Sequence, residues 1–580
     1  MTDSWRTRLE QLAPDVNATF GRFPLAVILI LLATVVFVAA INEFVPPSDE
    51  LWWRIVAGLG TGAVFAAAGK FIAESRPGTR IAALVLRFLV PVLAIAAWQV
   101  RSTEFLVPWA LPAVALLFLS VSPAIRPGKR DERRALEDRF WWINQRAVTT
   151  AAVAGIGLLL IALGTLAIER SLELLFSLRS SDLFYHWVLP IAVILLGPVY
   201  WLSTIPRLAD YAERDLTEPD FLTRAIGFLG QFILTPLLLI YALILLAYGA
   251  QILVTQRFPV GVLGWLVLIF VVTGAANWLV LHPEFIRNRP LVRLFRRSWF
   301  WLTVIPIALY GLAVFLRVEA FGLTDERLVL IAGGSWAGLL TIAFLLPRFA
   351  DIRLIPGLAA LVLLVFSVGP WNFEQGPRLD QIGRLRASLA TAGITGPAAA
   401  PGWSEEAAAK ARSALAYLTH SEEGRNMLSG LVGELGLEPV AAMDLAALMS
   451  RLSIPLPRDA EIPGDRNRLV RAPGEVNLAG TQVYLARLQF GEVEVAVNDT
   501  LGLSLRKGDL VVNSGRPDEA IVPLSVWFAG QRQPISDPLI RFTYAGRGYA
   551  LVVEELNLIG GAGAEQIAYM DATLFTALAP

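Results

Sequence analysis

The stretch Pro24-Leu-Ala-Val-Ile-Leu-Ile-Leu-Leu-Ala-Thr-Val-Val-Phe-Val-Ala-Ala-Ile41 carries no charge from end to end. A helix rises 1.5 Å per residue, so a hydrocarbon core about 30 Å thick calls for about 20 apolar residues. This run meets the requirement and is longer than the 7 to 15 apolar residues of a secretory signal, so it reads as a retained membrane helix. Ten further apolar stretches follow it: Leu51 to Ala73, Ile81 to Trp98, Phe105 to Val121, Ala147 to Ile168, Trp187 to Ile205, Ala225 to Val254, Gly261 to Leu281, Ser298 to Phe315, Leu328 to Leu346 and Leu354 to Gly369. The expected fold is a polytopic all-α membrane bundle of about 11 transmembrane helices, followed by an α+β soluble domain with an antiparallel sheet.

Composition agrees. Of 580 residues 55% are hydrophobic and only 17% charged, with a mean hydropathy of +0.58. Soluble proteins carry roughly 25% charged residues. The 49 basic and 49 acidic residues cancel, but through Pro370 there are 31 basic and 25 acidic, and beyond it 18 and 24. A slightly basic bundle and an acidic tail indicate two environments, and neither offers the concentrated basic face that nucleic acid requires. The absence of cysteine removes disulfides, thiolate metal sites and cysteine nucleophiles.

Translocated loops resist lysine and arginine, so their distribution orients the chain. Loops after the even-numbered stretches hold 19 basic residues and those after the odd-numbered stretches hold 6. The N-terminus is therefore expected in the cytoplasm and the segment from Trp371 to Pro580 outside. The domain scheme is a cytoplasmic N-terminus over 1–23, the bundle over 24–370, a connector helix and linker over 371–402, a helical part over 403–462 and a β-rich part over 463–580. Ser171 to Phe184 reads as an amphipathic segment lying on the outer surface.

Lipid supplies no hydrophobic drive between helices, so small residues must let backbones approach. Gly58, Gly60 and Gly62 in the second stretch, and Gly334 and Gly338 in the tenth, mark interface helices. Prolines at 91, 112, 190, 198, 236, 306 and 356 are expected to bend their helices. Among charges in the apolar stretches Arg87 stands out, flanked by Leu84, Val85, Leu86, Phe88 and Leu89, and it is expected to face the bundle interior. Gln231, Gln251 and Asn277 read as interhelical hydrogen bonds. No carboxylate stands in the middle of a stretch, which argues against a proton-coupled pump.

After the ninth stretch comes Arg317-Val-Glu-Ala-Phe-Gly-Leu-Thr-Asp-Glu-Arg327, with Trp336 farther on. Arg317, Glu319, Asp325 and Arg327 crowd one membrane edge, where a salt-bridged latch and a ligand site are both open readings. Arg87, Arg317, Glu319, Asp325, Arg327 and Trp336 are the candidate ligand or coupling residues. This strip, the opening Arg22-Phe23-Pro24-Leu25, and Gln381-x-x-Arg384-Leu385 leading to Ala392-Gly393-Ile394 resemble a bacterial multi-pass inner-membrane family catalogued as a domain of unknown function, family 4153. The resemblance covers Phe23 to Leu418. Phe321 stands where tyrosine is expected in that family, and Leu328 where an aromatic is frequent. The resemblance implies an integral membrane protein with an appended region, and no chemistry.

In the tail, Arg378 to Ala392 reads as a helix and Thr395 to Gly402 as a linker. Helices follow near Ser404 to Thr419, Arg425 to Leu435 and Val440 to Leu452. Strands are expected at Gln482 to Phe490, Glu492 to Asn498, Asp509 to Val512, Val522 to Phe528, Ile540 to Tyr544 and Tyr549 to Glu554, with turns at Lys507-Gly508 and Asn513-Ser514-Gly515. His186, His282 and His420 are the only histidines of the chain. A histidine-rich metal site and a Ser-His-Asp set in the tail therefore lack support, and no Walker or dinucleotide motif is present. No cofactor or metal is expected. The expected partners are membrane lipids and an envelope protein or a second copy packed through the glycine-rich helices. Three functions remain: an envelope structural, sensing or interaction protein with a periplasmic module, a transporter or lipid flippase, and a lipid-linked glycosyltransferase resting on Asp49-Glu50.

Overall fold

A computed structural model describes residues 16–577 apart from 46–48, 76–83, 126–129, 178–180, 212–213, 218, 256–262, 395, 397–401, 437–444, 456–467, 472–477, 479–482, 492–493, 499–500, 525–526, 529–534, 536 and 560–565. Most of the linker expected over Thr395 to Gly402 lies outside the described residues. The chain divides into two compact units, one of residues 1–402 with 410–448 and one of 403–409 with 449–580. The helical part expected over 403–462 is thus shared between them.

The first unit is helical. Among the described residues seven helices are long and apolar enough to cross a membrane: Pro24–Ile41, Glu50–Ser75, Glu132–Phe176, Phe184–Asp210, Phe221–Ile252, Pro290–Phe321 and Asp325–Leu345. Four shorter apolar helices, Arg87–Gln99, Pro108–Ala124, Gly264–Val280 and Leu354–Ser367, fall on the remaining apolar stretches of the sequence. The expected surface segment Ser171 to Phe184 is different. The helix Arg130–Phe176 runs unbroken through its first half, because Leu172, Leu174, Leu175 and Phe176 prolong the helical period of the preceding apolar turns.

Among the described residues four π-helical segments widen the bundle helices: Val85–Leu89, Phe184–Val188, Ile191–Leu196 and Gly230–Leu234. Each ends two residues before a proline, at Pro91, Pro190, Pro198 and Pro236. A proline lacks its N–H and presses on the carbonyl four residues back, and a widened turn relieves that clash without ending the helix. Pro306 by contrast sits inside the regular helix Pro290–Phe321.

The glycines divide. A Cβ on Gly58 or Gly62 would meet the backbone of Ile95 or Pro91 at 3.3 Å, so these two seat the neighbouring helix, whereas Gly60 and Gly338 face open space. Asn277 donates to Thr235 Oγ1 at 2.9 Å, the interhelical bond expected of it. Gln231 is buried, while Gln251 is exposed.

Side-chain bonds gather the loops at two ends. At one, Arg22 bridges Glu74 and the carbonyls of Ile205 and Pro206, Arg353 donates to Ala124 O at 2.7 Å, and His282 pairs with Asp138. These are the arginine-rich loops. At the other, Asn42 donates to His186 O, Arg54 to Val100 O and Asn372 to Thr103 O. Among the described residues these contacts pair loops within the same two sets as the charge count.

His282 at the basic end is almost fully buried, and its Nε2–H donates to Asp138 Oδ1 at 2.7 Å. Burial pushes the imidazole down to about 4 from its ordinary 6.5. On acidification the unfolded chain takes up this proton first, so the stability from the neutral ring is present above 6.5 and lost as pH falls toward about 4. Thermal midpoints in detergent are expected to drop across that window, and less steeply in His282→Gln; an identical slope in the variant would assign the effect to other groups.

The second unit is β-rich and antiparallel. A five-stranded sheet joins Arg468–Val470 (β1), Arg547–Ile559 (β8), Gln566–Thr576 (β9) and Val483–Phe490 (β2) in that order, with Leu539–Tyr544 (β7) also on β8. A four-stranded sheet follows chain order through Val495–Asn498 (β3), Leu501–Arg506 (β4), Asp509–Val512 (β5) and Ala520–Val522 (β6). Leucines and valines of both sheets form one apolar cluster, as alternation along strands dictates. Lys507 and Gly508 both take positive φ, 52° and 86°, and close the β4–β5 hairpin in two residues. The expected strand Val522 to Phe528 is only partly one, since it ends at Val522 and Trp527 and Phe528 are helical.

Candidate functional site

Arg317, Glu319, Asp325 and Arg327 surround one turn. Gly322 there has φ 78° and ψ 178°, a conformation essentially confined to glycine. Helix Gln375–Thr391 grips it: Leu323 N donates to Asp380 at 2.7 Å, and Gln381 donates to Leu323 O at 2.8 Å. Arg384 donates to Val318 O at 2.7 Å and Glu319 O at 3.1 Å while Asp380 holds its Nε at 3.0 Å. Arg327 donates to Gly322 O at 2.5 Å, and Asp325 accepts from the Tyr417 hydroxyl. The strip and Gln381-x-x-Arg384 are thus the two halves of one latch. Arg317 is half-buried, and Glu319 contributes its carbonyl rather than its exposed carboxylate.

In Gly322→Ala the new Cβ would lie 2.5 Å from Gln381 Nε2 and 2.8 Å from Arg384 Cδ. With the backbone strain this is expected to cost about 2 kcal/mol or more, read as a lowered thermal midpoint. An unchanged midpoint would mean that the latch is not formed.

Arg87 stands apart. It is half-buried on the π segment Val85–Leu89, its guanidinium 5.5 Å from the Phe88 ring, with Val85, Phe88 and Leu89 exposed around it. Half-buried between exposed Val85 and Phe88 and one turn before the buried Pro91, it stands at the margin of the packed face rather than deep in the bundle.

Trp336 belongs to a different place, a cavity of about 520 Å³ at the end of the bundle that carries the arginine-rich loops. Such a volume is ordinary for small-molecule sites, which span about 300–1,000 Å³. Helix Arg130–Phe176 forms one wall with Trp141, Asn144, Gln145 and Val148, and Leu263–Val280 forms another with Ala276 and Leu279. Trp336 Nε1 donates to Ile355 O at 2.9 Å and Trp141 Nε1 to Leu279 O at 2.7 Å. Both indoles are thereby satisfied. Asn144 is likewise tied to Ser120 O at 2.9 Å and Phe140 O at 2.8 Å, and Gln145 donates to Thr223 Oγ1 at 2.5 Å.

A second cavity of about 210 Å³ shares Ser120, Asn144 and Val148 with the first. Val148 is 68% exposed although it lines both, so the space communicates with the lipid-facing side of the bundle. The wall is hydrocarbon with a few placed amides and hydroxyls, which suits binding an apolar chain. No group of three His, Asp or Glu among the described residues is placed to hold a metal ion. Glu50 of the acidic pair is engaged by Arg54 at 2.6 Å. Along the sequence the amides of Asn144 and Gln145 merge with the arginine-rich loop; their signal is two adjacent amides separated by Arg146 alone from the apolar stretch that begins at Ala147.

Among curated proteins the chain is similar to an uncharacterized protein, PM1469, of Pasteurella multocida (strain Pm70), 23% identical over 266 residues. The match covers 44% of this chain and 43% of that relative, so the chain spans less than half the relative's length. No solved structure matches. The profile of the family described as Domain of unknown function (DUF4153) matches residues 26–374, from the first apolar helix to the start of the latch helix. The chain therefore belongs to the DUF4153 family.

Proposed function

We propose that this is a bacterial inner-membrane protein of eleven crossings, cytoplasmic at its N-terminus and periplasmic in its C-terminal module, which binds the hydrocarbon chain of a membrane lipid. The carrying observation is the laterally open cavity walled by Trp141, Val148, Ala276 and Trp336. The four short apolar helices support crossings beyond the seven long ones, and an odd total favours a tail on the side opposite the N-terminus. The cavity then lies in the cytoplasmic leaflet, since its walls are the ends of helices that meet the arginine-rich loops. An envelope sensor or interaction protein, reporting lipid occupancy to its exterior module, is the role this architecture supports.

Ala276 is exposed within the cavity, so Ala276→Trp fills the space without displacing core. A phospholipid with a photoreactive acyl chain is expected to label residues 140–149 of the parent, and labelling falls about tenfold in the variant at equal thermal stability. Equal labelling of both would refute chain binding.

Lipid transfer is the second reading. A cleft of about 400 Å³ beside Tyr310, Gly334 and Ser335 lies on the helix that also carries Trp336, so apolar space occurs on both sides of one helix. Scrambling of a fluorescent phospholipid in proteoliposomes, abolished by Ala276→Trp, would favour transfer over binding alone.

A further inference from the structure

The cavity has a seam with a polar closure. Two side-chain bridges join helix Arg130–Phe176 to the start of helix Phe221–Leu229: Gln145 to Thr223 at 2.5 Å, and Arg146 to Asp220 at 3.1 Å. Gln145 and Thr223 line the cavity, and Arg146 and Asp220 stand directly outside it. Both members of the ion pair are substantially exposed, at 39% and 42% of their side chains, so the pair is weakly held.

Asp220 does not depend on Arg146. Its Oδ1 caps its own helix by accepting from Thr223 N at 3.0 Å, and that bond survives if the arginine turns away. Arg224 lies one turn along the same helix with its side chain exposed. Among the described residues beside the lining pair Gln145 and Thr223, Arg146 and Arg224 are the next residues along their helices, and the carboxylate of Asp220 is already engaged as a cap. An anion entering there meets a surplus of positive charge, and a guanidinium matches phosphate oxygens through two parallel N–H bonds.

We infer that Gln145, Arg146 and Arg224 form the headgroup site of a glycerophospholipid with an anionic phosphodiester headgroup, whose acyl chain occupies the cavity between helices Arg130–Phe176 and Leu263–Val280. This rests on the chain-binding reading above. Arg146 exchanges Asp220 for the phosphate. Gln145 exchanges the Thr223 hydroxyl for an acyl ester carbonyl, which accepts from its amide as the hydroxyl does now. The adjacency of the two residues matches the short distance between phosphate and ester in such a lipid. Parting these two bridges opens the seam, so headgroup recognition and entry of the chain are one event.

The chain has no cysteine, so a pair introduced at Gln145→Cys and Thr223→Cys can be joined by a short cleavable thiol cross-linker. Purified full-length protein is exchanged into bicelles containing photoreactive phosphatidylglycerol or phosphatidylcholine, and labelling of residues 140–149 is quantified. The parent is expected to label about tenfold more with phosphatidylglycerol, whose phosphate charge no headgroup cation offsets as choline does in phosphatidylcholine, and this preference is expected to vanish in Arg146→Gln with Arg224→Gln. Cross-linking is expected to suppress labelling by both lipids, and cleavage of the linker to restore it. The inference is overturned by a preference that survives the double arginine substitution, by cross-linking without effect, or by oleate competing as well as phosphatidylglycerol, which would make the occupant a free carboxylate. Failure of chain binding itself is seen separately, as equal labelling in Ala276→Trp.

Discussion

Gly274→Leu is expected to yield no monodisperse protein, and Gly274→Ala to lower the thermal midpoint more than any other single methyl group added to the bundle. The helix Leu263–Val280 lays Gly274 directly on the indole of Trp299, so that a Cβ would overlap Cζ2, Cε2 and Cη2 of the ring. Trp299 is fully buried and has nowhere to retreat. Its ring is stacked on Phe295 at 4.9 Å between centroids and tilted against Phe270 at 4.7 Å. Overpacking a filled core costs about 1–3 kcal/mol, and here the larger figure applies because a whole ring must leave its rotamer. Trp299→Leu alone leaves a cavity. Combined with Gly274→Ala it provides the room the methyl needs, so the double variant is expected to be more stable than the sum of the two losses implies. Size-exclusion profiles and thermal unfolding in detergent read both effects. Additive losses, or a neutral Gly274→Ala, would show that this helix pair does not pack as described.

Arg22→Ala is expected to destabilise the bundle by roughly 3 kcal/mol, the scale on which breaking a largely buried ion pair acts. The guanidinium meets both Glu74 oxygens at 3.0 Å and donates to Ile205 O and Pro206 O at 2.5 and 3.0 Å. It also lies 4.7 Å from the ring of Phe23 and 5.5 Å from that of Phe71. One side chain thus ties three chain segments, and its removal leaves a shielded carboxylate whose nearest remaining cation among the described residues is Lys70 at 4.0 Å. Arg22→Lys keeps the charge but not the fork, and should recover less than half of the loss. A fall in thermal midpoint for Arg22→Ala that Glu74→Gln also produces, with no further loss in the double variant, would confirm the pairing. Independent, additive losses would refute it.

Both positions show why the candidate site was only partly legible. Arg22-Phe23 and Gln381-x-x-Arg384 were visible as motifs, yet nothing along the chain says that the first clamps Glu74 or that the second grips Gly322. Trp336 follows Asp325 and Arg327 along the sequence, but eleven residues of helix carry it about 16 Å from Asp325, into a cavity rather than onto the latch. Arg87 stands out in the sequence by its apolar neighbours. In the structure Leu84, Val85, Phe88 and Leu89 are exposed on the bundle, since an apolar flank marks lipid and protein interior alike.

The sequence by itself determined the apolar stretches, the basic and acidic partition of the loops, the helical character of the first 370 residues and much of the strand pattern beyond 463. These depend on run length, periodicity and composition, which are properties of neighbouring residues. Tertiary structure alone decided which glycines seat a neighbour, that Gly274 makes room for Trp299, and that Asn144, Ala276 and Trp336 face one space. A cavity exists only where several helices fail to close on one another. That failure is fixed by side-chain volumes brought together from positions more than 200 residues apart, from Leu117 to Ala359, and no local pattern records it.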